Sequence, residues 1–225
     1  STYRKIIVPT LYSIKKDKIH VVPLSGVIEY KEWKSVKPVD QLNLLFFGYI
    51  RNYKGLDLLL DSLNYVKEDR RISLDIVGRL GSGEKEEEYR NMILHNQYSK
   101  YIDFKTNYLP IDKIQQVFGD KHLLVLPYKS ATQSALISLA YQLKTPVAVS
   151  RKGGLPEYVE EGKTGFVIDE PFNKNFANLL SRNSIIRETL QMSERTKEFY
   201  EENLSWELNL KKYLEIAQKN LDIHV

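Results

Sequence analysis

The sequence of 225 residues has no cysteine, no long apolar run and no strong excess of either charge. Without cysteine, the chain forms neither a disulfide nor a thiolate metal site, and this composition is compatible with a reducing cytoplasm. No apolar run approaches the ~18 residues that a membrane-spanning helix needs. The formal net charge is +4. This mild positive balance suits an anionic small molecule and is too weak to indicate nucleic-acid binding.

Familiar catalytic and metal-binding motifs are also missing. The four histidines have no metal-ligand spacing, and they are His20, His95, His122 and His224. His122 falls in an apolar run and is interpreted as a core histidine. The stretch GRLGSGEKEEE lacks the Gly-Lys-Ser/Thr ending of a Walker motif, and no GxSxG elbow occurs. The acidic run at residues 84–88 is expected to begin an exposed helix, where carboxylates complement the helix dipole.

Apolar runs alternate with amphipathic helical patterns along the chain. Hydrophobic residues make up 42% of the sequence, which is enough for a sizeable core. The apolar runs are residues 19–22, 42–47, 72–77, 101–104, 122–126, 146–149 and 165–168. Helical patterns lie in KGLDLLLDSLNYVKE, EKEEEYRNMILHNQY, PIDKIQQVF, SALISLAYQL, LPEYVEE and NFANLLSR. The pattern predicts an α/β fold: a Rossmann-like three-layer domain with a mainly parallel sheet of about six strands.

Two other segments frame this predicted sheet. The polar, proline-containing residues 30–41 are interpreted as a linker that follows a leading, hairpin-like segment. The last ~40 residues are predicted to be helical, with an interruption near NLSW. The chain begins at the strand-like RKIIVPT without a methionine, so we expect a piece of a longer polypeptide.

The loops that follow four predicted strands carry glycines, cations or hydroxyl groups. They are GYIRNYKG, GRLGSG, PYKSATQS and SRKGGLPE. Turns collect glycine and polar residues for structural reasons alone, so any one of these loops is ambiguous. In a doubly wound sheet, however, ligands bind beyond the carboxyl ends of the strands, and two of these loops lead into a predicted helix. A helix N-terminus offers unpaired amides, so the small residues of SATQS predict an anion site.

These segments resemble a known family. Family 4 glycosyltransferases, which have the GT-B fold, contain a C-terminal, nucleotide-sugar-binding domain that is similar to four segments of this chain. These segments are FFGYIRNYKGLDLLLDSL, LDIVGR, HLLVLPYKSATQSALISLAYQL and LSWELNLKKYLEI. TPVAVSRKGGLPEYVEEGKTGFVI is the most specific part, and the similarity runs from about residue 19 to about residue 217. The resemblance implies two Rossmann-like domains that face each other across a cleft. This chain would be one half of that fold, the half that binds the donor.

The resemblance also implies a division of the chain. Residues 1–41 would be a leading segment and linker from a missing N-terminal domain, and residues 42–200 the nucleotide-sugar-binding domain. Residues 201–225 would form a C-terminal helix that packs near the interdomain region. Because the missing domain binds the acceptor, we expect this chain alone to be inactive in sugar transfer.

Site residues follow from the same resemblance, position by position. Lys54 matches the lysine that pairs with the donor diphosphate. The partner arginine of the family falls on Tyr49, so Arg51 is expected to replace it, and Arg51 and Lys54 form the catalytic set. The donor-binding set is Gly48, Gly78, Arg79, Thr132, Gln133, Ser134, Ala135 and Glu157. Gly78 and Arg79 would lie beside the base, and the residues near Gln133 would present helix amides to the diphosphate.

The chain departs from the family at its two-glutamate signature, which falls on Ala131 and Leu139. In the family the first glutamate contacts the donor sugar and the second contacts the nucleotide ribose. Losing the ribose contact removes a hydrogen bond to a charged acceptor, which is worth roughly 1.5–3 kcal/mol. The surrounding SATQSALISLAYQL resembles a variant branch in which the motif is remodelled as a whole, so we interpret the change as divergence.

The function implied by the resemblance is a retaining glycosyltransferase. It would move a sugar from a nucleoside diphosphate to a saccharide or lipid-linked acceptor in bacterial surface polysaccharide synthesis, in the cytoplasm or at the inner face of its membrane. No cofactor or metal is expected, no nucleic acid is expected as partner, and peripheral membrane association of the full-length protein is expected. Two alternatives stay open: a non-catalytic nucleotide-sugar-binding or scaffolding module, and a nucleotide-sugar epimerase of the GT-B type.

Overall fold

The computed structural model describes residues 19–20, 22–25, 36–67 and 69–221. The predicted leading segment and the first half of the linker therefore lie largely outside the described residues. Of the first apolar run, residues 19, 20 and 22 have no regular secondary structure. Residues 36–41 are also irregular, as expected for the end of a linker.

Six parallel strands form one sheet in the part of the chain that the structure describes. They are β1 (Leu42–Phe47), β2 (Ile72–Val77), β3 (Ile102–Lys105), β4 (Leu123–Leu126), β5 (Val147–Ser150) and β6 (Gly165–Ile168). Their spatial order is β3-β2-β1-β4-β5-β6, and every neighbouring pair is parallel. The predicted fold class is thus confirmed. The strand order reverses between β1 and β4, which is where such sheets bind ligands.

Helices cover both faces of the sheet. One face packs against α1 (Leu56–Leu63), α2 (Glu86–Leu94), α5 (Phe172–Leu180) and α6 (Ile185–Phe199). The other packs against α3 (Ile114–Phe118) and α4 (Ala135–Gln142). The strands are apolar on both faces because both faces are buried, as in Leu44 and Leu45, which have no exposed surface. The three-layer arrangement follows directly.

The C-terminal part is helical and interrupted, as predicted. A π-helical turn (Tyr200–Leu204) follows α6, and α7 (Trp206–Leu221) begins after Ser205. Among the described side chains of α7, only Asn209 is fully buried, whereas several large apolar ones are exposed: Trp206, Leu210, Tyr213 and Leu214. No helix among the described residues is both long and apolar enough to cross a membrane.

One predicted helix is wrong. LPEYVEE forms only a 3-10 turn, Pro156–Tyr158, and the chain is extended at Val159. The amide of Glu160 donates to the Thr164 hydroxyl (2.9 Å), while the amide of Thr164 donates to the carbonyl of Glu160 (2.9 Å). These bonds close a tight turn into β6, which the short helical pattern of the sequence does not reveal.

His122 is a buried core histidine, as predicted. It lies at the amino end of β4, where its Nδ1 accepts from the amide of Asn43 (3.0 Å). Its Nε2 therefore carries the proton and donates to the carbonyl of Pro38 (2.9 Å). Burial and the nearby Lys37 ammonium lower the pKa of His122 to about 4. The imidazole thus joins the irregular segment before β1 to the sheet, at the edge opposite the strand-end loops.

Candidate functional site

The loops after β1 and β2 run side by side. The amide of Gly48 donates to the carbonyl of Val77 (3.0 Å), and Ile50 forms an isolated bridge with Leu80. A side chain at Gly78 would place its Cβ 1.9 Å from the carbonyl oxygen of Gly48. Glycine at position 78 therefore lets the two loops approach closely, so the structure brings together two of the predicted site residues.

Lys54 ends a short 3-10 turn, Asn52–Lys54, between β1 and α1. Gly55 follows with φ of 71°, and a Cβ at this position would lie 1.9 Å from the carbonyl oxygen of Pro127. Only glycine fits there without displacing backbone. Close packing against the loop after β4 thus fixes where the turn carries Lys54.

The ammonium group of Lys54 is partly buried and already close to another cation. Its Nζ lies 5.6 Å from the centre of the Tyr128 ring, and 3.3 Å from the place of a Cβ on Gly48. Burial lowers the pKa of Lys54, and the charge of Arg51 lowers it further. A bound anion would counter both effects, because it would stabilise the charged form.

Lys54 and the N-terminus of α4 line the same cavity, of about 690 Å³. Ser134 is the N-cap of α4, and its hydroxyl accepts from the amide of Leu136 (3.3 Å). The hydroxyl groups of Tyr128 and Ser134 lie 3.4 Å apart. The lining residues are Tyr53, Lys54, Tyr128, Ser130, Ala131, Thr132, Gln133, Ser134, Ala135 and Leu136. The structure therefore brings five of the sequence-predicted residues together, namely Lys54 and residues 132–135.

The backbone of the SATQS loop packs closely against the paired-glycine turn after β5. Gly153 has φ of 53°, and a Cβ on it would lie 1.7 Å from the carbonyl oxygen of Ala131. The amide of Gly154 donates to the carbonyl of Thr132 (3.1 Å). The paired-glycine turn after β5 therefore contacts the backbone of the SATQS loop directly and helps to fix its position.

Gly48 lines a second, smaller cavity of about 170 Å³. Its walls are mostly apolar and come from the loops after β1, β2 and β3. They comprise Phe47, Gly48, Tyr49, Val77, Gly78, Arg79, Asn107, Tyr108 and Leu109. Gly48, Gly78 and Arg79, which the sequence assigned to one site, thus share this cavity, and Tyr49 and Tyr108 are exposed.

Residues 27–206 match the family model described as Glycosyl transferases group 1. The chain belongs to this family. It is 27% identical over 187 residues to the lipopolysaccharide 1,2-N-acetylglucosaminetransferase of Salmonella typhimurium, covering 80% of this chain and 49% of that protein. It is 26% identical over 136 residues to a D-inositol 3-phosphate glycosyltransferase of Corynebacterium efficiens, covering 59% of this chain and 32% of the relative. The chain thus spans a third to a half of the length of these relatives.

Solved structures of glycosyltransferases share the fold. A glycosyltransferase from Rickettsia africae superimposes with a TM-score of 0.78 at 17% identity, covering 98% of this chain and 62% of that one. Anabaena Alr3699/HepE, solved in complex with UDP, gives a TM-score of 0.68 at 18% identity, covering 81% and 49%. The sequence-based recognition of a GT-B glycosyltransferase domain is confirmed.

Two predicted site residues of this glycosyltransferase domain line neither cavity. The side chain of Arg51 passes over Gly81, where its Cγ lies 2.6 Å from the place of a Cβ. The charge of Arg51 nevertheless lowers the pKa of Lys54. Glu157 lies in the 3-10 turn after the paired glycines, and its Oε2 is 3.8 Å from the place of a Cβ on Gly154. Their assigned roles stay predictions.

The two positions of the missing glutamates differ in environment. Ala131 lines the larger cavity. Leu139 is 7% exposed and packs in the core beneath α4. A carboxylate at position 139 would need a different local packing, which agrees with a motif that is remodelled as a whole. No group of three or more potential metal ligands occurs within the described ranges.

Sequence reasoning missed part of both cavities. Tyr128 stands in a loop that was singled out, yet it was not assigned a role. Asn107, Tyr108 and Leu109 follow β3, and the strand-end rule applied to that strand would have found them. Tyr53 had no signal of its own, because only its neighbour Lys54 carries the family motif.

Proposed function

We propose that this chain is the donor-binding domain of a retaining glycosyltransferase and that the larger cavity binds the diphosphate of a nucleoside diphosphate sugar. The observation that carries the proposal is the convergence of Lys54 and the N-terminus of α4 on one cavity. An ammonium group and a helix N-terminus are complementary to a diphosphate. Membership of the group 1 family supports glycosyl transfer as the reaction.

In the proposed mechanism, these groups stabilise the leaving diphosphate as its bond to the sugar breaks. Lys54 supplies a charge-assisted hydrogen bond, the α4 N-terminus supplies its dipole, and the Arg51 charge adds to the positive potential. A diphosphate bound there would also offset the burial of Lys54. We propose that no metal is required, because this set already neutralises the leaving group.

The smaller cavity would hold the base of the nucleotide. Gly48 lines the smaller cavity and lies beside the Lys54 ammonium. A nucleotide with its base beside Gly78 and Arg79 would therefore place its diphosphate near Lys54. The likeness to a protein solved with UDP supports a nucleotide ligand. The sugar would lie near Ala131, where neutral hydroxyl groups of Ser130 and Thr132 replace the usual carboxylate.

The acceptor would be bound by a second domain beyond this chain. We retain the proposed division: residues 1–41 lead in from that domain, residues 42–200 bind the donor, and residues 201–225 pack near the interdomain region. The exposed apolar side chains of α7 support the last assignment. A saccharide or lipid-linked acceptor in bacterial surface polysaccharide synthesis agrees with the Salmonella relative named for lipopolysaccharide. The proposed location is the cytoplasm or the inner face of its membrane.

Lys54→Ala is expected to weaken binding of UDP or GDP by about 1.5–3 kcal/mol, the worth of a hydrogen bond from a charged donor. Binding of uridine or guanosine should change much less, because a nucleoside has no phosphate to lose the contact. Isothermal titration calorimetry with each nucleotide and its nucleoside measures the difference.

Lys100→Ala is the matched control. Lys100 is exposed in the turn before β3, at the amino end of that strand and away from both cavities. The Lys100→Ala protein should bind UDP and GDP as tightly as the parent does. A Lys54→Ala protein that binds both diphosphates as tightly as the parent would remove the main support for the proposed site.

A further inference from the structure

The turn that carries Lys54 is capped by a side chain from another loop. Arg51, the N-cap of the 3-10 turn Asn52–Lys54, provides no side-chain hydrogen bond to it. Instead, Oε1 of Glu84, in the loop after β2, accepts from the amide of Asn52 (2.7 Å). A side-chain acceptor on the first amide of a helical turn fixes where that turn begins.

Glu84 is itself held in place. Its Oε2 accepts from the hydroxyl of Tyr89 (2.7 Å), a residue of α2 that is 7% exposed. The Tyr89 ring packs edge-on against Phe104, with 6.5 Å between ring centres. Burial and the bond to Glu84 raise the pKa of Tyr89, so its hydroxyl remains a donor at neutral pH. Both carboxylate oxygens thus have defined partners.

The opposite side of the same turn is fixed by the loop after β4. The amide of Lys129 donates to the carbonyl of Tyr53 (2.8 Å). Its Nζ donates to Oδ1 of Asn52 (3.3 Å) and pairs with Asp57 (2.8 Å). The turn that carries Lys54 is therefore clamped between two loops.

By charge alone, Glu84 is unfavourable next to a site that attracts anions. A carboxylate beside the lysine turn lowers the local positive potential, so it should weaken diphosphate binding. The two hydrogen bonds give it a different role. We propose that Glu84 is a positioning residue, which holds the Asn52–Lys54 turn so that the Lys54 ammonium reaches the diphosphate. This inference rests on the proposed function.

The two effects of Glu84 have opposite signs, so a pair of variants separates them. Glu84→Ala removes both hydrogen bonds and the charge, and positioning predicts UDP binding about three- to tenfold weaker, with uridine binding unchanged. Glu84→Gln keeps an oxygen that accepts from Asn52 but removes the charge. It should bind UDP as tightly as the parent or slightly tighter. Calorimetry with UDP and uridine measures both.

A double-mutant cycle tests whether the effect passes through Lys54. In a Lys54→Ala background, adding Glu84→Ala should cause no further loss of UDP affinity, because there is no ammonium left to position. Glu88→Ala is the control, since Glu88 is an exposed carboxylate on α2 that pairs with Lys85 (3.1 Å). It should leave UDP binding unchanged.

A nucleotide-free readout keeps this inference separate from the proposed function. In protein with isotope-labelled lysine, Glu84→Ala should move the Lys54 side-chain NMR signal well beyond the change that Glu84→Gln causes by removing the charge alone, whereas Glu88→Ala should leave the signal unchanged. A shift without any effect of Lys54→Ala on UDP binding would show that Glu84 places the Lys54 turn and would contradict the donor site. Three outcomes would overturn the positioning role. They are an unchanged Lys54 signal in Glu84→Ala, UDP binding by Glu84→Ala as tight as in the parent, and a loss of UDP affinity from Glu84→Ala that is equally large in the Lys54→Ala background.

Discussion

Gly153→Ala is expected to destabilise the fold by about 3 kcal/mol or more and to abolish nucleotide binding in the same protein. The φ angle of Gly153 is 53°, a left-handed conformation that costs any other residue about 1–2 kcal/mol. In addition, the new Cβ would lie 1.7 Å from the carbonyl oxygen of Ala131. That obstacle is backbone, which cannot rotate away, so the loop that lines the larger cavity must move.

Gly162→Ala provides a matched control for the backbone strain. Gly162 has φ of 73°, and nothing lies within 4 Å of the place of its Cβ. It should cost only the strain of about 1–2 kcal/mol and leave UDP binding intact. Urea denaturation and calorimetry on both variants measure the two effects. Equal stability losses, or a Gly153→Ala protein that binds UDP normally, would show that the loop tolerates the displacement.

Acidification from pH 6.5 to pH 4 is expected to remove about 3 kcal/mol of stability through His122 alone. Its folded-state pKa is lowered from 6.5 to about 4, first by burial and then by the Lys37 charge. The unfolded state therefore binds more protons in this window, so the free energy of unfolding rises with pH there. The contribution is fully present above pH 6.5 and is lost as the pH falls toward 4.

His122→Gln should flatten this part of the stability profile, because the variant has no imidazole to protonate. Lys37 has a pKa of about 7 in the folded state and so changes its charge above this window. Urea denaturation of parent and variant at several pH values between 4 and 6 gives the difference in slope, which is independent of any constant cost of the substitution. His95→Gln, at an exposed helix end, is the control. Parallel profiles for the parent and His122→Gln would disprove the assignment.

Local sequence patterns were enough to predict the parallel sheet and the edge of the sheet where the candidate site lies. Each strand of a sheet buried on both faces needs a continuous apolar run, so the runs were visible without any knowledge of pairing. The helix predicted for LPEYVEE was wrong, because a seven-residue apolar pattern stabilises a helix less than the hydrogen bonds between Glu160 and Thr164 stabilise a turn. Short patterns are the least decisive where a side chain offers the backbone an alternative partner.

By itself, the sequence predicted the α/β class, the strand-end loops of the candidate site, and the grouping of Lys54 with residues 132–135, because strand ends and family motifs are local in the chain. Only the tertiary structure decided which of these residues meet. It brought Lys54 to α4 through the contact of Gly55 with Pro127, turned Arg51 onto Gly81, and added the loop after β3. The capping of Asn52 by Glu84 was equally invisible, because those residues are 32 positions apart and each alone looks like an ordinary polar loop residue. Contacts between loops that are distant in the chain depend on how the whole sheet folds, so local sequence patterns do not predict them.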